Sequence, residues 1–266
     1  MKYLMAVSLV FCVISSVFAA ENALPVKGIC SHRGEMEGYP ENTVPAFQAA
    51  VKAGTQQIEF DVARSKDGVL VIMHDHDVKR TTDGEGKVVD LTFKELRALD
   101  AGIKTGEQFR GTKIPTFDEA IDSLPRNIWI NVHLRDLPGL AEETALKIRE
   151  KGRLHQAFLT CGRVQMLEAR KVCPEIMICN VQRRKDTDQY VWETIEWKCN
   201  FIQLQHALPK YSEKNIADLK KAGVHINWFG TDDPQKICQL IKDGVEFPLV
   251  NKTRKALKLL KDQGLL

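Results

Sequence analysis

Short apolar runs alternate with longer segments of helical period along most of this chain. Runs suited to strands cover 27–31, 56–62, 69–73, 127–134, 156–160, 175–179, 200–204, 224–229 and 246–250. Between them, apolar positions three and four apart predict helices over 43–53, 116–123, 139–151, 163–172, 188–197, 212–222, 233–242 and 252–262. The stretch "TVPAFQAAVKAG" shows how local signals bound one helix. Thr43 stands at the N-cap, Pro45 in the first turn and Gly54 just past the end. Gly223 and Gly244 close two later helices in the same way. Strand followed by helix about eight times argues for parallel βαβ units, and the closed form of that pattern is an α/β (β/α)8 barrel. No GxGxxG follows the first strand, which weighs against an open dinucleotide-binding sheet. The charged, Gly-rich segment 75–112 interrupts the alternation after the second strand, and an insertion there is expected to sit over the active end.

The first residues break the pattern differently. Lys2 precedes an apolar core, and Val17 and Ala19 place small residues at −3 and −1 of a cleavage site. We expect a signal peptide over 1–19, cut after Ala19, with the barrel over 20–266 and a periplasmic or secreted protein as the product. The run falls short of the ~20 apolar residues of a membrane span, so no stable membrane insertion is expected after cleavage. The formal net charge is only +3, which weighs against a nucleic-acid partner. Six of seven cysteines remain after cleavage: Cys30, Cys161, Cys173, Cys179, Cys199 and Cys238. Export permits disulfides, but Cys30, Cys179 and Cys199 lie in or beside apolar runs, where buried thiols are common. We expect mostly buried thiols with room for one disulfide, and, lacking any CxxC pair, no structural zinc. The oligomeric state stays open.

The polar residues at strand ends carry the candidate chemistry, because barrel active sites lie there. The first strand runs into Ser31, His32 and Arg33. In "IEFDV", Glu59 and Asp61 stand two apart and share one face of a strand. Two such carboxylates repel unless a cation lies between them, and oxygen ligands suit Mg2+ or Ca2+. "VLVIMHDHD" ends an extended run at His74, and "IWINVHLRD" puts Asn131, His133 and Arg135 on one face. Two histidines, two carboxylates, a third candidate ligand and two arginines fit metal-assisted cleavage of a small-molecule phosphodiester. One histidine would accept a proton and the other donate one. The cation would polarise the phosphate, and Arg33 and Arg135 would hold its oxygens.

Eight segments in this order, "SHRG", "PENT", "AFQAAVKAG", "IEFDV", "SKDGVLVIMHD", "RTTDGEG", "LTFKELRALDAG" and "IPTFDEA", resemble the glycerophosphodiester phosphodiesterase family. The resemblance implies a TIM barrel that uses a divalent metal to hydrolyse glycerophosphodiesters to glycerol 3-phosphate and an alcohol. It implies His32 and His74 as the acid/base pair, Arg33 as a phosphate contact, and Glu59 and Asp61 as metal ligands. It also implies attack by the substrate glycerol's own hydroxyl, giving a cyclic phosphate that water then opens. Glu41 and Asn42 read as residues that fix the loop behind His32. The insertion charges Lys79 and Arg80 read as solvated.

The chain departs from the family in two places. On the third barrel strand the family carries a glutamate and, two positions later, a lysine; here His133 and Arg135 stand there. An imidazole suits Mn2+ or Zn2+ better than Ca2+. Either the metal differs, or it binds more weakly, or His133 contacts substrate, or a shifted register puts Asn131 in its place. Toward the C-terminus, Trp228 in "INWFGTDD" is the candidate for a family tryptophan in the pocket, and Asn251 and Lys252 replace a Thr-Asp pair. These changes keep three alternatives open: a phosphodiesterase for a sugar-phosphate or wall-polymer substrate, a non-catalytic barrel that binds phosphodiesters or polyols, and a glycoside hydrolase. The last is disfavoured because Glu59 and Asp61 share one strand. His76, His155, His206 and His225 read as ordinary hydrogen-bonded histidines, although Gln205 and His206 follow a strand and could line the pocket.

Overall fold

A computed structural model of the protein describes residues 23–205 and 211–266. The expected signal peptide and His206 lie outside the described residues. The described residues hold nine strands: β1 (Cys30–His32), β2 (Gln57–Arg64), β3 (Leu70–Ile72), β4 (Trp129–Leu134), β5 (Ala157–Cys161), β6 (Met177–Asn180), β7 (Phe201–Gln205), β8 (His225–Phe229) and β9 (Phe247–Val250). All but β3 pair in parallel, and β1 bonds to both β2 and β9, so eight staves close into a barrel. The helices are α1 (Val44–Ala53), α2 (Phe93–Ala98), α3 (Phe117–Asp122), α4 (Leu140–Glu150), α5 (Arg163–Val172), α6 (Thr187–Glu196), α7 (Glu213–Lys221), α8 (Pro234–Lys242) and α9 (Thr253–Asp262). Each stave is followed by a helix, as the alternation predicts, and α9 packs as the closing helix with Ile29, Ile237 and Val250.

The third of the nine apolar runs, 69–73, is no stave. Ser65 to Gly68 form a turn in which Ser65 N–H donates to Val69 O and Gly68 takes a φ of +89°. β3 therefore folds back antiparallel on the end of β2, with Val62 opposite Ile72. This hairpin returns the chain to the level of Asp61, whose carbonyl accepts from Met73 N–H, and so delivers His74 to the barrel mouth. Beyond it, α2 begins at a reciprocal Thr92–Glu95 capping box. That signal was legible as T-x-x-E but lay inside a segment read only as insertion. Thr43 does precede α1, yet its hydroxyl donates to Pro40 O and does not cap the helix.

Inside the barrel the side chains sort into layers. Trp129, Phe158, Phe201 and Phe247 plug the N-terminal end, with the Phe158 and Phe201 rings stacked at 3.9 Å. Above them lie buried amides and hydroxyls: Asn227 donates to Gln57 and Thr160 to Asn131. The ionisable residues form the top layer. The six described cysteines are all free, so the room left for a disulfide is not used. Five are buried, and burial pushes the Cys199 thiol up to about 11. Among the described residues no helix is long and apolar enough to cross a membrane.

Candidate active site

Strand register brings the top layer together. His32 lies opposite Glu59 across β1 and β2, and Asp61 lies opposite His133 across β2 and β4. His133, and not Asn131, is therefore the β4 residue beside the carboxylates. Asn131 sits one layer lower, opposite Glu59, and takes a hydrogen bond from Thr160. His133 Nδ1 lies 3.5 Å from both Glu59 Oε1 and Asp61 Oδ1. These three residues each offer a ligand atom within 4.8 Å of the others. Asp61 Oδ1 is buried without a hydrogen-bond partner, the condition of an oxygen left for a cation. The donor set thus fits a divalent ion.

The pair is electrostatically unequal. Burial pushes Glu59 up, but His32, His133 and Arg33 outweigh it and bring the carboxyl down to about 2. Burial and the Glu59 charge hold Asp61 above its ordinary value, against the pull of His133, Arg33 and His74. A divalent cation would remove the conflict by compensating both charges.

Arg33 turns the corner after β1. Its φ of 58° is left-handed, uncommon for a side chain other than glycine or asparagine. In this turn its N–H donates to Glu59 Oε2 at 3.0 Å, and its Nε lies 3.3 Å from Asp61 Oδ2. The next residue must be glycine: at Gly34 φ is +87° and a Cβ would lie 2.8 Å from the Ala46 backbone. Asn42 is also left-handed, and its amide bridges Asp61, donating to Oδ2 at 2.9 Å and accepting from the Asp61 N–H at 3.2 Å. The loop residues Glu41 and Asn42 therefore hold the site itself as well as the loop. Arg135, just past β4, places Nη1 3.8 Å from Asp61 Oδ1. Arg33 Nε and Arg135 Nε are both buried without a hydrogen-bond acceptor, two donors available to an anion.

The two histidines are each held through Nδ1. His32 Nδ1 meets Asn251 Oδ1 at 2.8 Å, and its ring packs 5.1 Å from Phe229. His74 Nδ1 meets Asp75 Oδ1 at 2.6 Å. Arg80 then grips Asp75 at 2.5 Å and Glu41 at 2.7 and 2.8 Å, and Glu41 pairs with Arg33 at 2.9 Å. Arg80 is thus no solvated insertion charge; it ties the inserted segment to the loop behind His32.

Trp228 does not reach the pocket. It packs outward with Ile226, Leu204 and Leu240 between sheet and helices, against Tyr211 and under Lys236. Successive strand residues face opposite ways, so the inward aromatic is Phe229. The one-residue shift was invisible because either aromatic satisfies the apolar pattern. Arg80, Asp232 and Phe229 were missed as site residues, since their importance rests on contacts distant in sequence; Asp75 was missed although it adjoins His74.

A closed barrel whose mouth gathers an acid–imidazole group able to hold a cation, with arginine donors beside it, has the features a phosphoric diester hydrolase needs. Comparisons with known proteins agree and go further. Residues 32–253 match the model of the glycerophosphoryl diester phosphodiesterase family. A glycerophosphodiester phosphodiesterase of Caldanaerobacter subterraneus subsp. tengcongensis is 30% identical over 247 residues, covering 89% of this chain and 98% of that one. Human glycerophosphodiester phosphodiesterase 1 is 42% identical over 136 residues, which span 41% of its length. The solved structure of an Oleispira antarctica phosphodiesterase in complex with the product sn-glycerol-3-phosphate superposes with a TM-score of 0.78 at 26% identity, covering 90% of this chain and 97% of that one. The chain belongs to the glycerophosphoryl diester phosphodiesterase family.

Proposed function

We propose that this chain hydrolyses glycerophosphodiesters to glycerol 3-phosphate and an alcohol, with His32 and His74 exchanging the protons. The observation that carries this reading is the hold on both rings through Nδ1, by Asn251 and by Asp75, which leaves each Nε2 for chemistry. The Oleispira antarctica relative, whose structure holds sn-glycerol-3-phosphate, supports the product assignment.

Glu59, Asp61 and His133 would hold a divalent cation. When bound it supplies polarisation of a phosphate oxygen and compensation of negative charge. Arg33 and Arg135 hold the phosphate by their unpaired Nε donors. His32 Nε2 takes the proton of the attacking hydroxyl as its oxygen bonds to phosphorus. His74 gives a proton to the departing alcohol oxygen as its bond to phosphorus breaks. With glycerol's own hydroxyl as nucleophile the product is a cyclic phosphate. Water then opens it, with the two proton transfers run in reverse. The imidazole of His133 shifts cation preference toward Mn2+ or Zn2+ relative to Ca2+.

The test is turnover of glycerophosphocholine by chelated protein given Mg2+, Ca2+, Mn2+ or Zn2+ in turn. His32→Ala and His74→Ala should each lose on the order of 10²–10⁴ in kcat. Unchanged turnover in either variant sinks the acid/base assignment. Tight substrate binding without turnover under every cation sinks the enzymatic reading in favour of a binding protein. The apolar run ending at Ala19 supports export to the periplasm or beyond. N-terminal sequencing of the mature protein checks this, and an intact Met1 would contradict it.

A further inference from the structure

Asn251 stands just past β9, where the sequence departs from its family, and its amide has a fixed orientation. Its N–H donates to Asp232 Oδ1 at 2.7 Å, and its Nδ2 donates to Asp232 Oδ2 at 2.8 Å. An ionised carboxylate only accepts, so the amide nitrogen must face Asp232. The amide oxygen must then face His32, where it lies 2.8 Å from Nδ1. An amide oxygen also only accepts, so the proton of the neutral imidazole belongs on Nδ1. The other nitrogen, Nε2, is left bare on the side of the carboxylates, 4.0 Å from Glu59 Oε2. Asp232 is itself anchored, since Oδ1 also accepts from Lys252 N–H at 3.3 Å.

We infer that Asn251 and Asp232 are positioning residues that lock His32 in its Nδ1–H tautomer and so present Nε2 as the proton acceptor. The inference rests on the reading of His32 as a catalytic base. The amide achieves this without placing a further negative charge beside Glu59 and Asp61. The charge sits one residue further back, on Asp232, where it orients the amide.

The tautomer is read directly from 15N shifts of the imidazole nitrogens in chelated protein at alkaline pH. The native protein should show a protonated Nδ1 and a bare Nε2 on His32. Asn251→Leu removes the acceptor; the protonated-Nδ1 signature should fade, and kcat should fall about 10–100-fold with KM within about threefold. Asn251→Asp sets two carboxylates against each other and should also be impaired. The exchange Asn251→Asp with Asp232→Asn keeps an acceptor toward His32 and an amide donor behind it. It should recover most of the lost kcat and restore the signature. The inference is overturned if Asn251→Leu keeps both the signature and kcat, or if the exchanged pair is no better than Asn251→Leu. The 15N reading needs no turnover, so an inactive native protein would sink the proposed activity and leave the tautomer lock to be judged on its own.

Discussion

Replacing Asp61 by asparagine should make the cation-free protein more stable and insensitive to cations. Asp61 is fully buried, and burial together with Glu59 holds its carboxyl above the ordinary value. The ligand oxygens of the two residues lie within 4.8 Å. Unit charges at that separation repel by about 3.5 kcal/mol at an effective dielectric near 20. Asparagine keeps an acceptor for Asn42 Nδ2, which donates to Oδ2, and drops the charge. Part of the relief is returned through weaker attraction to Arg33 and Arg135. The expected net gain is about 1–2 kcal/mol, or roughly 2–8 °C in Tm.

The assay is thermal and urea unfolding in chelator, followed by titration with Mn2+. At a free cation concentration of 100 Kd the native protein should gain about 2.7 kcal/mol; the variant should gain almost nothing. The pH dependence has two opposed parts. Asp61 binds its proton more tightly folded than unfolded, so its contribution is present below 3.8 and is lost as pH rises through the higher folded value. Glu59, brought down to about 2, contributes stability above 4.5 that is lost as pH falls toward 2. Asp61→Asn should erase only the first part. A variant that is less stable than the native protein in chelator, or equally stabilised by Mn2+, refutes the reasoning.

Arg80→Ala should cut kcat about tenfold while changing stability by no more than about 1 kcal/mol, because the side chain is half exposed but its fork joins Asp75 to Glu41. Arg80→Lys, which keeps the charge and loses the fork, should fail similarly in the same kinetic assay. Trp228→Phe should leave KM within about twofold and cost about 1 kcal/mol in urea unfolding, whereas Phe229→Ala should lower kcat by freeing the His32 ring. His133→Glu should move the cation giving the fastest turnover from Mn2+ or Zn2+ toward Mg2+ or Ca2+; an unchanged order would place His133 outside the cation's ligands.

The barrel was legible because alternation of period-two and period-3.6 segments encodes parallel βα units directly. So was the pairing of Glu59 with Asp61, since a strand repeats every two residues. The hairpin that makes β3 was less visible: "SKDG" signals a turn, but only three-dimensional pairing shows that the strand folds back on β2. Trp228 was misplaced for the same reason that Phe229 was missed, because facing depends on register and adjacent aromatics look alike. Arg80, Asp232 and Asn251 were unreadable as partners. Arg80 meets Glu41 across 39 positions, and Asn251 meets His32 across 219. Short-range patterns carry no information about such pairs.

The histidine at position 133 also fits the charge balance of the site. Glu59 and Asp61 carry two negative charges, and Arg33 and Arg135 carry two positive ones at 3.3 and 3.8 Å from Asp61. These four charged groups sum to zero, so a divalent cation would leave them doubly positive. A phosphodiester carries one negative charge, and on the proposed mechanism addition of the attacking oxygen would raise that to two as its proton passes to His32. On the proposed mechanism the cation-loaded set would therefore complement the charge of the transition state better than that of the ground state, the direction in which differential binding accelerates a reaction. A glutamate at this position would lower the sum by one unit and move the match to the ground state. The same His133→Glu protein should accordingly hold hard cations more tightly yet show a lower kcat. If kcat rises together with cation affinity, ligand number and not charge matching limits the native site.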